Sequence, residues 1–308
     1  VSRQGSYHGN TLFAMSVSPS FDMFSQSVGP LPGGVVRTVH PYCYRCDQSS
    51  DQCNCQCADD LERVLREEDP ETVAAFIAEP ISTSSGVAIP PEKYWEKIRY
   101  ICNKYDVLLI ADEIVTGFGR TGKLTGMENF RVYPDIVTFA KGLTSGYIPL
   151  GAVVMNKRVT EGIPDNMFLI PGFTYSGHPV SCAAAAANID FIMEENLVEN
   201  SNKMGRYLLK GLRDGLGTHP LIGDIRGKGL LVCIELKNMG FPLNTELSSS
   251  LESYYLKAGL YLRLIEGYVH LGPPLIINRE EVDKLVNIVV SGIEKISEDY
   301  PEIRKMGR

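Results

Sequence analysis

One tryptophan and five histidines serve 308 residues, and no apolar run approaches the ~20 residues that a membrane-spanning helix requires. A helical membrane anchor is therefore not expected. Positive charge is also scarce, since 30 Lys and Arg against 37 Asp and Glu leave a formal net charge of −7. That balance offers no basic footprint for nucleic acid or an anionic membrane surface, and neither partner is expected. Internal repeats and low-complexity segments are lacking. No signal peptide opens the chain, and a cytoplasmic protein is the expectation. The glycine-rich stretch Gly117–Gly122 lacks the Gly-Lys-Ser/Thr ending of a nucleotide phosphate loop and does not lead directly from a strand into a helix.

A hydrophobic content of 44% suffices for a large core and for two domains. Apolar runs alternate with amphipathic stretches, the pattern of an α/β fold. Strands are predicted at 73–78, at the runs ending in Ala111 and Phe139, and at 150–155. Pro91 can open a helix carrying Tyr94, Trp95, Ile98, Ile101 and Cys102 at core spacing. A small-residue helix covers Cys182–Ala187, and a longer one runs from about Asn196 to Leu216. Further strands follow near 222–226, 230–236, 261–264 and His270, with a last helix over about 279–297. The expected division is a large domain with a mainly parallel sheet (1–193) and a smaller α+β C-terminal domain (194–308).

Five of the eight cysteines crowd into Cys43, Cys46, Cys53, Cys55 and Cys57. Thiolates at such close intervals suit zinc, but the spacing fits no standard zinc pattern. A surface loop of reduced thiols is the expectation, with disulfides and a metal as the alternatives; no metal site is assigned.

The chemistry concentrates at two points. Val107-Leu108-Leu109-Ile110-Ala111 ends in Asp112-Glu113, and 29 residues later a run from Ile136 ends at Phe139-Ala140-Lys141-Gly142. A lysine and an aspartate at the carboxyl ends of buried parallel strands would share the crevice where such sheets bind ligands. A lysine amine can form an imine with an aldehyde, and an aspartate can keep a ring nitrogen protonated. Together they point to pyridoxal 5′-phosphate (PLP). A lone Lys-Gly would more often be a surface lysine near a helix start, and a lone carboxylate after a strand a helix cap or ion-pair member.

Six motifs, in order and spacing, make the chain resemble the class III (ω-) aminotransferases of PLP fold type I. They are Ser6-Tyr7-His8-Gly9-Asn10, Glu79-Pro80, Asp112-Glu113-Ile114, Gly117–Gly122, Ala140-Lys141-Gly142 and Phe173-Thr174-Tyr175. The resemblance implies a transaminase in which Lys141 bears the cofactor and moves a proton. Asp112 would bind the ring nitrogen, and Tyr7 would stack on one ring face with Ile114 on the other. Thr174, 33 residues after Lys141, would reach across a homodimer interface to the partner's cofactor phosphate. His8 and Gly9 belong to the motif without an assigned chemistry, and Glu113 is expected to support from behind. Class III enzymes also hold the phosphate on a Ser/Gly-rich turn ahead of Tyr-His-Gly. Nothing before Ser6 supplies that turn, so a fragment of a longer enzyme is expected, one that on its own lacks full activity.

Two further positions bear on substrate. Relatives acting on ornithine or 4-aminobutyrate carry a glutamate five residues after the Glu-Pro glutamate and an arginine three residues before Pro-Pro. Ser84 and His270 stand there in this chain. Amine:pyruvate relatives place a mobile arginine ten residues before Pro-Pro, where Arg263 precedes Pro273-Pro274. A guanidinium can clamp the carboxylate of pyruvate or alanine through two parallel hydrogen bonds. Amino transfer from an ω-amino acid or primary amine, of the β-alanine or taurine kind, to pyruvate is thus expected. The alternatives are a 4-aminobutyrate or ornithine type enzyme using 2-oxoglutarate and an inactive structural fragment. Arg226 is read as structural.

Overall fold

The computed structural model describes residues 1–19, 28–46, 53–164, 172–237, 245–265 and 267–300, with the side chains of residues 245–247 and of Arg263 outside that description. Two compact units emerge: Val1–Phe118 with Leu124–Glu195, and Gly119–Lys123 with Asn196–Arg308.

In the first unit a six-stranded sheet joins β1 (Ser2–Arg3), β2 (Arg37–Thr38), β3 (Ala75–Ala78), β4 (Leu108–Asp112), β5 (Ile136–Phe139) and β6 (Ala152–Met155) in the order β2-β1-β3-β4-β5-β6. All pairings are parallel except β5 with β6. A short helix α1 (Leu12–Ser16) separates β1 from β2, and helix α2 (Gln56–Glu67) and helix α3 (Tyr94–Lys104) flank β3. The stripe Ala58, Leu61 and Leu65 of α2 meets Trp95, Ile98 and Ile101 of α3 and the inward residues Phe76, Ala78, Leu109 and Ala111 of the strands. This is the period-3.6 against period-2 matching on which an α/β layer rests.

The cysteine-rich segment departs from a surface loop. Cys43 and Cys46 are exposed, but Cys55 is 2% exposed and Cys53 and Cys57 pack against the same core. The cause is α2, whose apolar stripe draws its first residues inward with it. All described cysteines are free thiols. Among the described residues no three His, Cys, Asp or Glu side chains are arranged to hold a metal.

After helix α4 (Lys157–Thr160), helix α5 (Pro179–Glu194) completes the first unit. Of its small residues Ser181 and Ala185 are buried, whereas Ala183, Ala186 and Ala187 are exposed. Val180, Phe191 and Met193 are each half or more exposed, as are Val153 and Val154 of β6.

The second unit is built on an antiparallel sheet of β7 (Ile222–Lys228), β8 (Leu231–Leu236), β9 (Arg263–Ile265) and β10 (Tyr268–Leu271), ordered β7-β8-β10-β9. Helix α6 (Leu197–Leu216), helix α7 (Thr245–Lys257) and helix α8 (Arg279–Asp299) complete it. Leu208 and Leu212 of α6, Tyr255 of α7 and Val282 and Val289 of α8 share one core with the strands. Asn278 and Glu281 form a reciprocal capping box that starts α8. Arg226 is buried against Glu235 at 2.7 Å and Asp224 at 2.9 Å, a structural ion pair. No described helix is long and apolar enough to cross a membrane.

Gly119–Lys123 belongs with this second unit, although a division at 193/194 places it with the first. Arg120 is the reason. Its guanidinium donates to the carbonyls of Pro273 at 2.6 Å and Leu230 at 3.2 Å, and its own carbonyl accepts from the Leu230 amide at 3.1 Å. Close backbone approach also explains two glycines of this unit. A Cβ on Gly205 would lie 2.0 Å from the Gly229 carbonyl oxygen. Alanine should gain helix propensity at position 205, yet Gly205→Ala is expected to destabilise by roughly 1–3 kcal/mol because backbone must move. Urea unfolding measures it, and a stability equal to wild type would contradict this packing.

Candidate functional site

Asp112 is the last residue of β4, and Lys141 follows β5 by two positions. β4 and β5 are parallel neighbours with Asp112 opposite Thr138 in register, so both residues emerge at the carboxyl edge of one sheet, where open α/β sheets bind their ligands.

Asp112 is 4% exposed and both its oxygens are engaged. Oδ1 accepts from the Ile114 amide at 3.0 Å, and Oδ2 lies 2.7 Å from Nδ1 of His8. The bond from Ile114 is an Asx-type turn. The strand ends at Asp112, so this turn begins at once. Ile114 is half-buried beside the carboxylate. Glu113 turns away, accepting from the amides of Gly126 at 2.7 Å and Met127 at 2.8 Å and from the Thr116 hydroxyl. Burial pushes its carboxyl up.

Lys141 is exposed and opens a single 3-10 turn, Lys141–Leu143, with φ at +42°. A non-glycine residue there costs about 1–3 kcal/mol and persists only where its surroundings hold it. Asn188 of α5 does so. Its Nδ2 donates to the carbonyls of Gly142 at 2.9 Å and Leu143 at 3.1 Å, and its Oδ1 accepts from Ser145 at 2.7 Å. Sequence reasoning missed Asn188, whose only signal is a polar residue within an alanine-rich run. Lys141 lines a cleft of about 760 Å³ with Thr144, Ile148, Gly151, Phe173 and Tyr175. Thr174, exposed between those two aromatics, is not among the residues lining it.

Tyr7 and His8 approach Asp112 from the other side. The Tyr7 amide donates to Glu79 Oε1 at 3.1 Å and the His8 amide to Ser18 Oγ at 2.7 Å. The His8 side chain is 3% exposed, a partner to Asp112 that the sequence motif did not disclose. His8, Asp112 and Ile114 are thus joined by hydrogen bonds, with Tyr7 next to His8 in the chain. Arg263 lies on β9 as the Cα partner of His270, but its side chain is outside the described residues. Ser84 is held locally, donating to the Gly5 carbonyl at 2.8 Å.

The family model described as aminotransferase class-III matches residues 1–293. A putrescine–pyruvate aminotransferase of Pseudomonas aeruginosa is 38% identical over 94% of this chain and 64% of its own length. The chloroplastic gamma aminobutyrate transaminase 3 of Solanum lycopersicum is 37% identical over 93% of this chain and 57% of its own. Among solved structures, a thermostable (S)-enantioselective omega-transaminase from Thermomicrobium roseum superposes with a TM-score of 0.90 at 39% identity, covering 96% of this chain and 67% of that one. The fold is that of the transaminases. The chain belongs to the class III aminotransferases, a PLP-dependent family, and spans less than two thirds of the length of these curated relatives.

The residues present fit that cofactor. A protonated pyridine nitrogen needs a buried carboxylate, which Asp112 supplies. Thr138 Oγ1, beside Asp112 in the β4–β5 register, and His8 Nε2 are both buried without a hydrogen-bond partner among the described residues. Such polar atoms at a sheet edge mark a site built for a polar ligand.

The network behind the site has a pH signature. Burial alone would raise the Glu79 carboxyl, but the charges of His8 and then Arg3, with backbone amide donors, bring it down to about 2 from 4.5. A depressed carboxylate stabilises the fold fully above its unfolded value of 4.5 and loses that contribution as pH falls through about 2. Glu79→Gln leaves Arg3 buried without its carboxylate and should cost roughly 3–5 kcal/mol near neutral pH. In denaturant titrations the gap to wild type should close as pH falls from 4.5 toward about 2. A gap constant across that window would contradict the assignment.

Proposed function

We propose that this chain forms most of a PLP-dependent transaminase that moves an amino group from an ω-amino acid or primary amine to pyruvate. The carrying observation is the placement of Lys141 and Asp112 at the adjoining carboxyl ends of β5 and β4, with Asp112 buried and anchored by His8.

When bound, PLP supplies an electron sink for the substrate Cα. In this reading Lys141 would hold the cofactor covalently, and its amine would serve as the base that moves the proton of the substrate Cα. Asp112 binds the ring nitrogen and favours its protonated form. Tyr7 would pack on one ring face, adding ~0.5–1.5 kcal/mol to the area it buries, and Ile114 would press on the other. Thr174 binds the phosphate of a partner subunit. The exposed apolar residues of α5 and the cleft aromatics Phe173 and Tyr175 support a homodimer, since such a surface on a single chain marks an interaction face.

Pyruvate is favoured over 2-oxoglutarate because no glutamate stands at Ser84, which is tied to Gly5, and no arginine at His270. Arg263 is the Cα partner of His270 across the β9–β10 ladder, so an arginine at either position starts from the same rung. The putrescine–pyruvate relative agrees with this acceptor. The gamma aminobutyrate transaminases are relatives of equal rank, and their substrate marks the alternative.

A half-reaction screen separates the two. With PLP and an amine donor, pyruvate should be consumed in preference to 2-oxoglutarate. Arg263→Lys keeps the charge but loses the fork, and should weaken pyruvate handling about ten- to a hundred-fold, the worth of a charge-assisted pair of roughly 1.5–3 kcal/mol. His270→Ala should leave acceptor choice intact. Preference for 2-oxoglutarate, or damage to pyruvate kinetics by His270→Ala alone, would overturn the acceptor assignment.

A further inference from the structure

The turn that carries Lys141 is held in an uncommon shape by a residue to which the proposed reaction gives no part. Lys141 at φ +42°, Ser145 at +49° and Gly146 at +79° are all left-handed. Two backbone bonds close the turn, from the Leu143 amide to the Ala140 carbonyl at 3.0 Å and from the Thr144 amide to the Lys141 carbonyl at 3.2 Å. Just beyond, Thr144 Oγ1 donates to the Ile148 carbonyl at 2.6 Å. Local bonds of this kind occur in any short turn. Non-glycine residues at positive φ persist only under restraint from elsewhere.

That restraint comes from α5. Ser181, Ala185 and Ile192 are buried at helical spacing along one side of the helix, and Asn188 stands on the same stripe. Its amide meets the turn with both ends. Nδ2 donates to the carbonyls of Gly142 at 2.9 Å and Leu143 at 3.1 Å, while Oδ1 accepts from Ser145 Oγ at 2.7 Å. Carbonyl oxygens only accept, so the group that meets both must donate to both. The Ser145 hydroxyl, bound to the amide oxygen, keeps that oxygen from facing the carbonyls. One side chain thus ties down Ser145 itself and the two residues that follow Lys141. The consequence falls on Lys141. Its φ decides where the Cα–Cβ bond points after β5, and hence whether the side chain leaves the sheet edge into the cleft that it lines. At the negative φ that a lysine otherwise favours, the same bond would point elsewhere.

We propose that Asn188, oriented by Ser145, is a positioning residue for Lys141: it fixes the left-handed turn that aims the lysine side chain into the cleft. Only the chemistry at the lysine amine rests on the proposed function, because the shape of the turn is a property of the protein alone. A residue that merely anchored α5 would lend stability without setting the turn. Ile192, four positions further along the stripe, is 2% exposed and apolar, and it serves that anchoring purpose.

Amide hydrogen exchange of the full chain reads the turn without cofactor. In Asn188→Ala the Leu143 and Thr144 amides should exchange about ten- to a hundred-fold faster, as loss of two hydrogen bonds implies. Asn188→Asp keeps the shape and the bond from Ser145 but sets an acceptor against two acceptors, so it should not restore protection. With saturating PLP, the rate of covalent capture at Lys141, followed by timed borohydride labelling, should fall roughly ten- to a hundred-fold in both variants, the cost of misplacing a reacting group by about an ångström. The PLP concentration giving half the maximal rate should hardly change. Ile192→Ala should lower the urea midpoint yet capture PLP at the wild-type rate. Ser145→Ala removes only an exposed hydroxyl and should move both readouts the same way by less, which keeps the test decisive should the Asn188 variants not fold. Wild-type exchange or capture in Asn188→Ala would overturn the proposal, as would their restoration by Asn188→Asp, an equal slowing of capture by Ile192→Ala, or unchanged readouts in Ser145→Ala. A wild type that takes up no PLP at Lys141 would count against the proposed function, while exchange at Leu143 and Thr144 would still uphold or overturn the hold of Asn188 on the turn.

Discussion

The parallel pairing of β4 with β5 is the constraint on which the site depends. With Asp112 opposite Thr138, a one-residue slip would turn Asp112 to the other face of the sheet and move it from His8. Register is therefore under strong restraint, and the core imposes it. Leu109 and Ala111 of β4 and Phe76 and Ala78 of β3 are wholly buried against α2 and α3. Hydrophobic packing on one face of the sheet thus fixes where the acid and the lysine stand at its end. Neither residue contributes to that packing.

Around this frame the site is held by polar contacts of long sequence separation. Asn188 steadies the Lys141 turn from α5, and His8 steadies Asp112 from the loop after β1. These restraints explain how Lys141 keeps a left-handed backbone and how a carboxylate stays buried. Burial of Asp112 with a hydrogen-bonded neighbour on each oxygen leaves it oriented before any ligand arrives, which is the preorganisation a cofactor site needs.

Much of this was legible in the sequence where the signal was local. The apolar runs before Asp112 and Lys141 are short buried strands, and the stripe Tyr94, Trp95, Ile98, Ile101 is a helix face, because burial imposes its period directly on residue type. What escaped was non-local. β1 and β2 are two residues each and exist through partners such as Arg3 with Glu79, 76 positions away. His8 meets Asp112 across 104 positions, so nothing in its neighbourhood announces the contact. Helix α2 has helical spacing at Leu61, Val64 and Leu65, but no capping residue announces its start: Cys55 is the N-cap, in a left-handed conformation with no side-chain bond.

The central claim is that Lys141 and Asp112 define one cofactor site, and covalent capture at Lys141 tests it most directly. The full chain would be incubated with PLP, reduced with borohydride and digested, and the labelled peptide sequenced. The account predicts a single label on the peptide containing Lys141, abolished in Lys141→Ala. A label on any other lysine, or one that survives in Lys141→Ala, would contradict it.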